Sequence, residues 1–269
     1  MLILNGWVNI RYGKVQKRNY GDELNCFLLS KLTDKTIVGY YDIPHIFKHD
    51  DLLFIGSIVE EFTTPYSIIW GSGAISGQKR IKAKPKQVCA VRGRLTQSYL
   101  LDQGIECPDV FGDPALLLPH VYKPACKKKH KIGLIPHIDD LEHPYVQHLI
   151  QKNSVHLIDF SEYGDWEEVI DEINECEYIV SSSLHGLIIA DAYRIPNLWA
   201  RFSNTVLGGD YKYLDYFSGV GRHTTTPFEI QRDTDVESFI ADERLFCEQI
   251  TFDAKRFLSA APFKVNLEV

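Results

Sequence analysis

A chain of 269 residues, 45% apolar and 24% charged, can bury a sizeable core without disulfides or metals, as one large domain or two modest ones. Its formal charge of −7, from 29 basic and 36 acidic residues, argues against a general nucleic-acid binder, so an anionic ligand must be met by local groupings of Arg, Lys and His. The six cysteines are scattered without a CxxC pair, which favours reduced thiols. Only four apolar residues precede Asn5, too few for a signal-peptide core, and no apolar stretch approaches the ~20 residues of a membrane-spanning helix. These features predict a cytoplasmic protein and leave room for peripheral contact with a membrane surface.

Short apolar, β-rich runs alternate with helical patterns along the chain. Strands are expected at 2–8, 36–41, 52–58, 67–71 and 87–91, then at 131–136, 154–160, 177–182 and 196–200. Between them, Leu24, Phe27, Leu28 and Leu32 share one helix face, and Trp166, Val169, Ile170 and Ile173 recur at i, i+3, i+4 and i+7. This alternation predicts parallel sheets covered by helices, the α/β class. The segment 119–131, with two prolines and a lysine-rich run, reads as a linker with solvated charges, separating domains at 1–122 and 131–233. Thr224–Pro227 is a second break. A helix expected over 235–250 groups Val236, Phe239 and Ile240, and the segment 234–269 is expected to pack back on the first domain.

In α/β folds ligands bind beyond the carboxyl ends of the strands, and four motifs fall at such places. In Asn19–Asn25, Gly21 suits a tight turn and Asp22 suits the cap of a helix starting near Glu23; free amides at that junction also suit an anion, though the cap is the stronger reading. In Trp70-Gly71-Ser72-Gly73-Ala74 a strand ends in small residues that let a ligand or another backbone approach. The pattern is not GxGxxG, and no acidic residue follows at dinucleotide spacing, which argues against nicotinamide binding. Arg92 and Arg94 leave a strand and enter a helix, where guanidinium forks hold phosphate or carboxylate; an ordinary surface ion pair is an equal reading. Finally, a buried strand runs through Ser181, Ser182 and Ser183 into a helix beginning around Leu184–Gly186. His185 then sits at a helix start as the side chain best able to give a proton near neutral pH, against the plainer reading of a histidine satisfying a turn. His137, Asp139, Asp140, Glu142 and His143 fit no standard metal-ligand spacing and read as a solvated loop.

Taken in order, Asn19-Tyr20-Gly21-Asp22, Trp70-Gly71-Ser72-Gly73, Val91-Arg92, Gly112-Asp113-Pro114, Ser183-Leu184-His185-Gly186, Ala190-Asp191-Ala192 and Lys212-Tyr213-Leu214-Asp215-Tyr216, followed by Gly219 and Gly221, resemble the polysaccharide pyruvyl transferases across nearly the whole chain. The resemblance implies two Rossmann-like domains facing a cleft, as in GT-B-like transferases. It also implies phosphoenolpyruvate as donor, a sugar with two nearby hydroxyls as acceptor, and a pyruvate ketal as product, in exopolysaccharide or capsule biosynthesis. His185 matches the family's general acid and Arg92 its donor-holding arginine.

Many members carry Arg where Ser183 stands; in having Ser before Leu184-His185-Gly186 the chain resembles the exopolysaccharide ketal transferase subgroup. Arg94, Arg201, Lys212 and Arg222 are candidates for the missing positive charge. His137 is similar to a strand-end histidine of that subgroup. The implied substrate-binding set is Asn19, Gly21, Asp22, Gly71, Ser72, Gly73, Arg94, His137, Ser183, Leu184, Lys212 and Asp215, with Asp22 or Asp215 orienting or deprotonating a hydroxyl. Neither a metal nor a cofactor beyond the donor is expected, and the implied acceptor is an oligosaccharide on polyprenyl diphosphate at the inner face of the plasma membrane. Two other functions compete: a nucleotide-sugar glycosyltransferase of the same architecture, and a non-catalytic saccharide-binding module.

Overall fold

Parallel strand pairing organises the chain into two separate sheets. The computed structural model describes all residues except 9, 12, 13, 16–18, 45–47 and 153. Its first part runs β1 (Leu2–Leu4), β2 (Ile10–Arg11), β3 (Lys14–Val15), α1 (Tyr20–Leu32), β4 (Ile37–Gly39), β5 (Asp51–Leu53), α2 (Val59–Phe62), β6 (Ser67–Trp70), β7 (Gln87–Ala90), α3 (Arg94–Leu101) and α4 (Leu118–Val121). The second part adds β8 (His130–Ile135), α5 (Pro144–Gln151), β9 (His156–Leu157), α6 (Trp166–Asn174), β10 (Cys176–Ser181), α7 (Leu184–Ala192) and β11 (Asn197–Arg201). Then come α8 (Tyr211–Val220), β12 (Phe228–Glu229), α9 (Val236–Ile240) and α10 (Ala254–Ser259).

The first sheet has the order β4-β1-β5-β6-β7 and the second β12-β11-β10-β8-β9, every pairing parallel. Counted within each sheet, both orders are 2-1-3-4-5. Chain connections therefore leave in opposite directions from the first strand and the third, which lie side by side. Right-handed crossovers then place helices on opposite faces, and a crevice opens at the carboxyl ends of that central pair. The pair is β1 and β5 in one sheet, β8 and β10 in the other.

Each expected strand region contains a strand, but the strands within 2–8 and 52–58 are short, at Leu2–Leu4 and Asp51–Leu53, and beyond the latter Ser57 makes only a single bridge, to Gly73. Phe54, Ile55 and Ile58 are buried in the loop that follows β5, so their apolarity reports burial rather than strand pairing. The helix faces agree with the periodicity: Leu24, Leu28 and Leu32 are buried on α1, and Val169, Ile170 and Ile173 on α6.

By contacts the chain forms one unit from residues 1–121, 210–223 and 251–269, and another from 122–209 and 224–250. This differs from the sequence expectation in two places. The segment 210–223, with α8, belongs to the first unit. Within 234–269, α9 belongs to the second, where Phe239 is buried among Ile132, Leu134 and Leu198 with Val236 and Ile240 beside it. The expected long helix stops at Ile240 because the chain turns to pair with β11, Phe246 exchanging backbone hydrogen bonds with Asn197 at 2.8 and 3.0 Å. Only 251–269 packs on the first unit, where Phe257 stacks on Trp70 at 5.2 Å and accepts its indole N–H at 3.1 Å. Among the described residues no helix is long and apolar enough to cross a membrane.

Candidate functional site

The central pair of the second sheet delivers the histidines. Residue His137 follows β8, and Ser182 to His185 follow β10; the two loops are joined where the His137 N–H donates to Ser182 Oγ at 2.9 Å. The α7 helix begins at Leu184 with Ser183 as N-cap residue, so half-buried His185 lies in its first turn. That turn is drawn onto β10 because Gly186 has no side chain; a Cβ there would lie 2.4 Å from Ser181 Oγ. Ser181 Oγ in turn lies 2.8 and 2.9 Å from the carbonyls of Ile135 and Ser183, which compete for its one proton, and accepts the Ser183 N–H at 3.0 Å. Leu184 is buried, like nearly all of α7, which is apolar around its circumference and is therefore enclosed by protein. The outcome is a close-packed helix start with an imidazole at a strand end, where the helix dipole favours an anion.

The loop read as solvated has one buried member. Asp140 is 1% exposed and accepts hydrogen bonds from Ser182 Oγ at 2.8 Å and Ser203 Oγ at 2.6 Å, tying together the loops after β8, β10 and β11. His137 accepts the Asp139 N–H at 3.2 Å, and His143 caps α5 by accepting the Tyr145 N–H at 3.3 Å. Among the described residues no three His, Cys, Asp or Glu side chains are grouped to hold a metal.

In the first unit the strand-end residues look inward. Arg92 is fully buried; its Nε pairs with Asp215 Oδ2 at 2.9 Å, and its other nitrogens donate to the Ala74 carbonyl and Ser57 Oγ. Asp215, equally buried, also accepts from Thr96 N at 2.7 Å and Thr96 Oγ1 at 2.8 Å. Gly93 lets α8 approach, since a Cβ there would lie 1.7 Å from the Asp215 carbonyl oxygen. The guanidinium therefore locks α8 onto the β7–α3 junction, and both oxygens of Asp215 are spent on that lock. The sequence shows these two charges at strand and helix positions, but not that they pair with each other.

The remaining expected residues divide by unit. Asn19, rather than Asp22, caps α1, accepting the Gly21 N–H at 3.2 Å; the helix starts at Tyr20, so Gly21 and Asp22 lie in its first turn. Ser72 is buried, and side chains at Gly71 or Gly73 would collide with Pro114 or with Arg92 respectively. Exposed Arg94 lies 4.6 Å from the Phe111 ring centroid. Lys212 and Arg222 are buried near aromatic rings, Tyr213 at 5.4 Å and Phe217 at 4.4 Å. In the second unit Arg201 pairs with Glu229 at 2.7 Å.

Sequence reading passed over Asp140 and Thr96 as functional or framework residues, and over Asn25, whose amide brackets Ile55 by bonds to its N–H and carbonyl at 2.8 and 3.1 Å. Three consecutive hydroxyl residues at a strand end were the available signal for Asp140. The cysteines are free thiols. Burial pushes Cys26, Cys107 and Cys176 up to about 12 and Cys89 to about 11, far from nucleophilic thiolates at neutral pH.

Two parallel sheets of identical strand order, one with histidines and hydroxyls at the ends of its central strands, define a Rossmann-like α/β protein. Residues 8–202 match the family described as polysaccharide pyruvyl transferase, and the chain belongs to that family. It is 31% identical over 212 residues to uncharacterized protein L143 of Acanthamoeba polyphaga mimivirus, covering 77% of this chain and 72% of that one. It is 25% identical over 241 residues to the succinoglycan biosynthesis protein ExoV of Rhizobium meliloti (strain 1021), covering 87% and 72%. No solved structure matches it. The matched span includes Arg92, His137 and His185 and ends before Lys212 and Asp215.

Proposed function

We propose that the protein transfers pyruvate from phosphoenolpyruvate to a sugar diol of an exopolysaccharide precursor, forming a cyclic ketal and releasing phosphate. The observation that carries this reading is His185 in the first turn of α7, at the crevice between β8 and β10, in a chain of this family. The likeness to a succinoglycan biosynthesis protein supports the polysaccharide setting.

In this mechanism the imidazolium of His185 gives its proton to the methylene carbon of the donor, and positive charge develops at the carbon bearing the phosphate. One sugar hydroxyl adds there with loss of its proton, the carbon–oxygen bond to phosphate breaks, and the second hydroxyl closes the ring with loss of another proton. Amides at the start of α7 receive an anionic group of the donor, whose charge in turn favours the protonated imidazole beside it. His137 lines the same crevice. Arg92 acts as a positioning residue, holding α8 on the β7–α3 junction. The donor is a cytoplasmic metabolite, so the reaction belongs on the cytoplasmic side, with an oligosaccharide carried on polyprenyl diphosphate as the fitting acceptor.

The test is phosphate release from phosphoenolpyruvate in the presence of oligosaccharides prepared from succinoglycan. A positioned acid contributes ~10²–10⁴-fold in rate, so His185→Ala is expected to lose at least ~10²-fold in kcat while still binding phosphoenolpyruvate. Full activity in that variant removes the role. Nucleotide release from sugar donors, or saccharide binding without phosphate release, would identify the protein as a glycosyltransferase or a binding module instead.

A further inference from the structure

The buried carboxylate of Asp140 dictates which way the hydroxyls around it point. Ser182 Oγ and Ser203 Oγ each carry one proton, and each spends it on Asp140, at 2.8 and 2.6 Å. Ser203 Oγ also lies 2.7 Å from Thr205 Oγ1. With the serine proton already committed, the threonine hydroxyl must be the donor in that pair, and the Thr205 N–H donates to the same oxygen at 3.3 Å. Thr205 is exposed, at the loop that follows β11. Its one proton is turned inward, so only lone pairs face solvent. Hydrogen bonds in such a chain polarise one another, and the carboxylate at its head makes the outer oxygen a better acceptor.

We infer that Thr205, held through Ser203 by Asp140, is a specificity residue for the neutral, hydroxyl-bearing acceptor sugar and not for the anionic donor. An acceptor-only oxygen gains a hydrogen bond from a sugar hydroxyl, whereas a phosphate or carboxylate oxygen brings it no proton. Asp140 is a positioning residue: it fixes the polarity of the rim and, through Ser182, the backbone of His137. The inference rests on the proposed transfer reaction and assigns its acceptor side.

Thr205→Val removes the hydroxyl and keeps the shape at an exposed position. A net hydrogen bond of ~0.5–1.5 kcal/mol corresponds to ~2–10-fold, so the KM for succinoglycan-derived oligosaccharide should rise by that factor while the KM for phosphoenolpyruvate stays within experimental error. Ser203→Ala releases the threonine proton to point outward. Inorganic phosphate should then compete with methyl β-D-glucopyranoside in ligand-observed NMR more strongly than it does in the unaltered protein. An unchanged acceptor KM, or a raised donor KM, in Thr205→Val overturns the inference. Glycoside binding that weakens in Thr205→Val, in a protein whose unaltered form releases no phosphate from phosphoenolpyruvate, overturns the transfer reading and supports the rim assignment.

Discussion

Replacing Asp215 by Asn removes the carboxylate paired with the buried Arg92 guanidinium. Removing one partner of a buried ion pair costs ~3–5 kcal/mol, because the remaining charge stays desolvated. Thr96 adds to this: its Oγ1 accepts the Ala74 N–H at 2.9 Å and donates to Asp215 Oδ2 while its N–H donates to Oδ1, so an amide, with one oxygen in place of two, leaves one Thr96 donor without its acceptor. The losses share atoms and overlap instead of adding. Ser57 and the Ala74 carbonyl still hold two guanidinium nitrogens, which puts the expectation near ~3 kcal/mol, a large part of the ~5–15 kcal/mol that holds most domains folded. Urea denaturation followed by tryptophan fluorescence measures it, the first transition reporting the affected unit. The double variant Arg92→Met with Asp215→Leu should recover most of the loss, since an apolar pair of similar volume needs no compensation. A cost below ~1 kcal/mol for Asp215→Asn would refute the lock. So would an Arg92→Met protein of normal stability that no longer binds phosphoenolpyruvate, because the arginine would then be holding the donor.

Two further predictions follow from the same unit. Burial pushes the Asp113 carboxyl up to about 7, against the opposing pull of the Ala115 N–H and Arg92 and with some help from Asp215. The unfolded residue titrates near ~4, so between about pH 4 and 7 the folded state binds more protons and stability falls as pH rises, by up to ~4 kcal/mol. Asp113→Asn keeps the acceptor for the Ala115 N–H and should flatten thermal stability between pH 5 and 8; an unchanged slope would assign the pH dependence elsewhere. Gly93→Ala forces α8 away from the β7–α3 junction, because a Cβ there lies 1.7 Å from backbone, which has no rotamer to escape into. A loss comparable to Asp215→Asn is expected in the same denaturation assay, and a neutral effect would mean that α8 is not tightly docked.

Periodicity carried most of the fold, since strands and helix faces are local properties. The strand regions and the buried faces of α1 and α6 were legible because alternate or 3.6-spaced apolar residues report a nearby surface. What was not legible depends on distant partners. The expected helix over 235–250 gave way after Ile240 to a backbone pairing with Asn197, an alternative that no local propensity reveals. The candidate site divides the same way. The start of α7 could be read from the run of serines, leucine, histidine and glycine, because a strand end, a cap and a close-packed turn are written in adjacent residues.

Arg92 shows the opposite case. A guanidinium leaving a strand is equally suited to an external anion or an internal one, and the deciding carboxylate lies 123 residues further along. Asp140 was read as solvated for the same reason, since one of its serine partners is 42 residues away and the other 63. Both corrections move an ionised group from the surface into the framework. There it holds a helix in one unit and draws two serine hydroxyls together in the other.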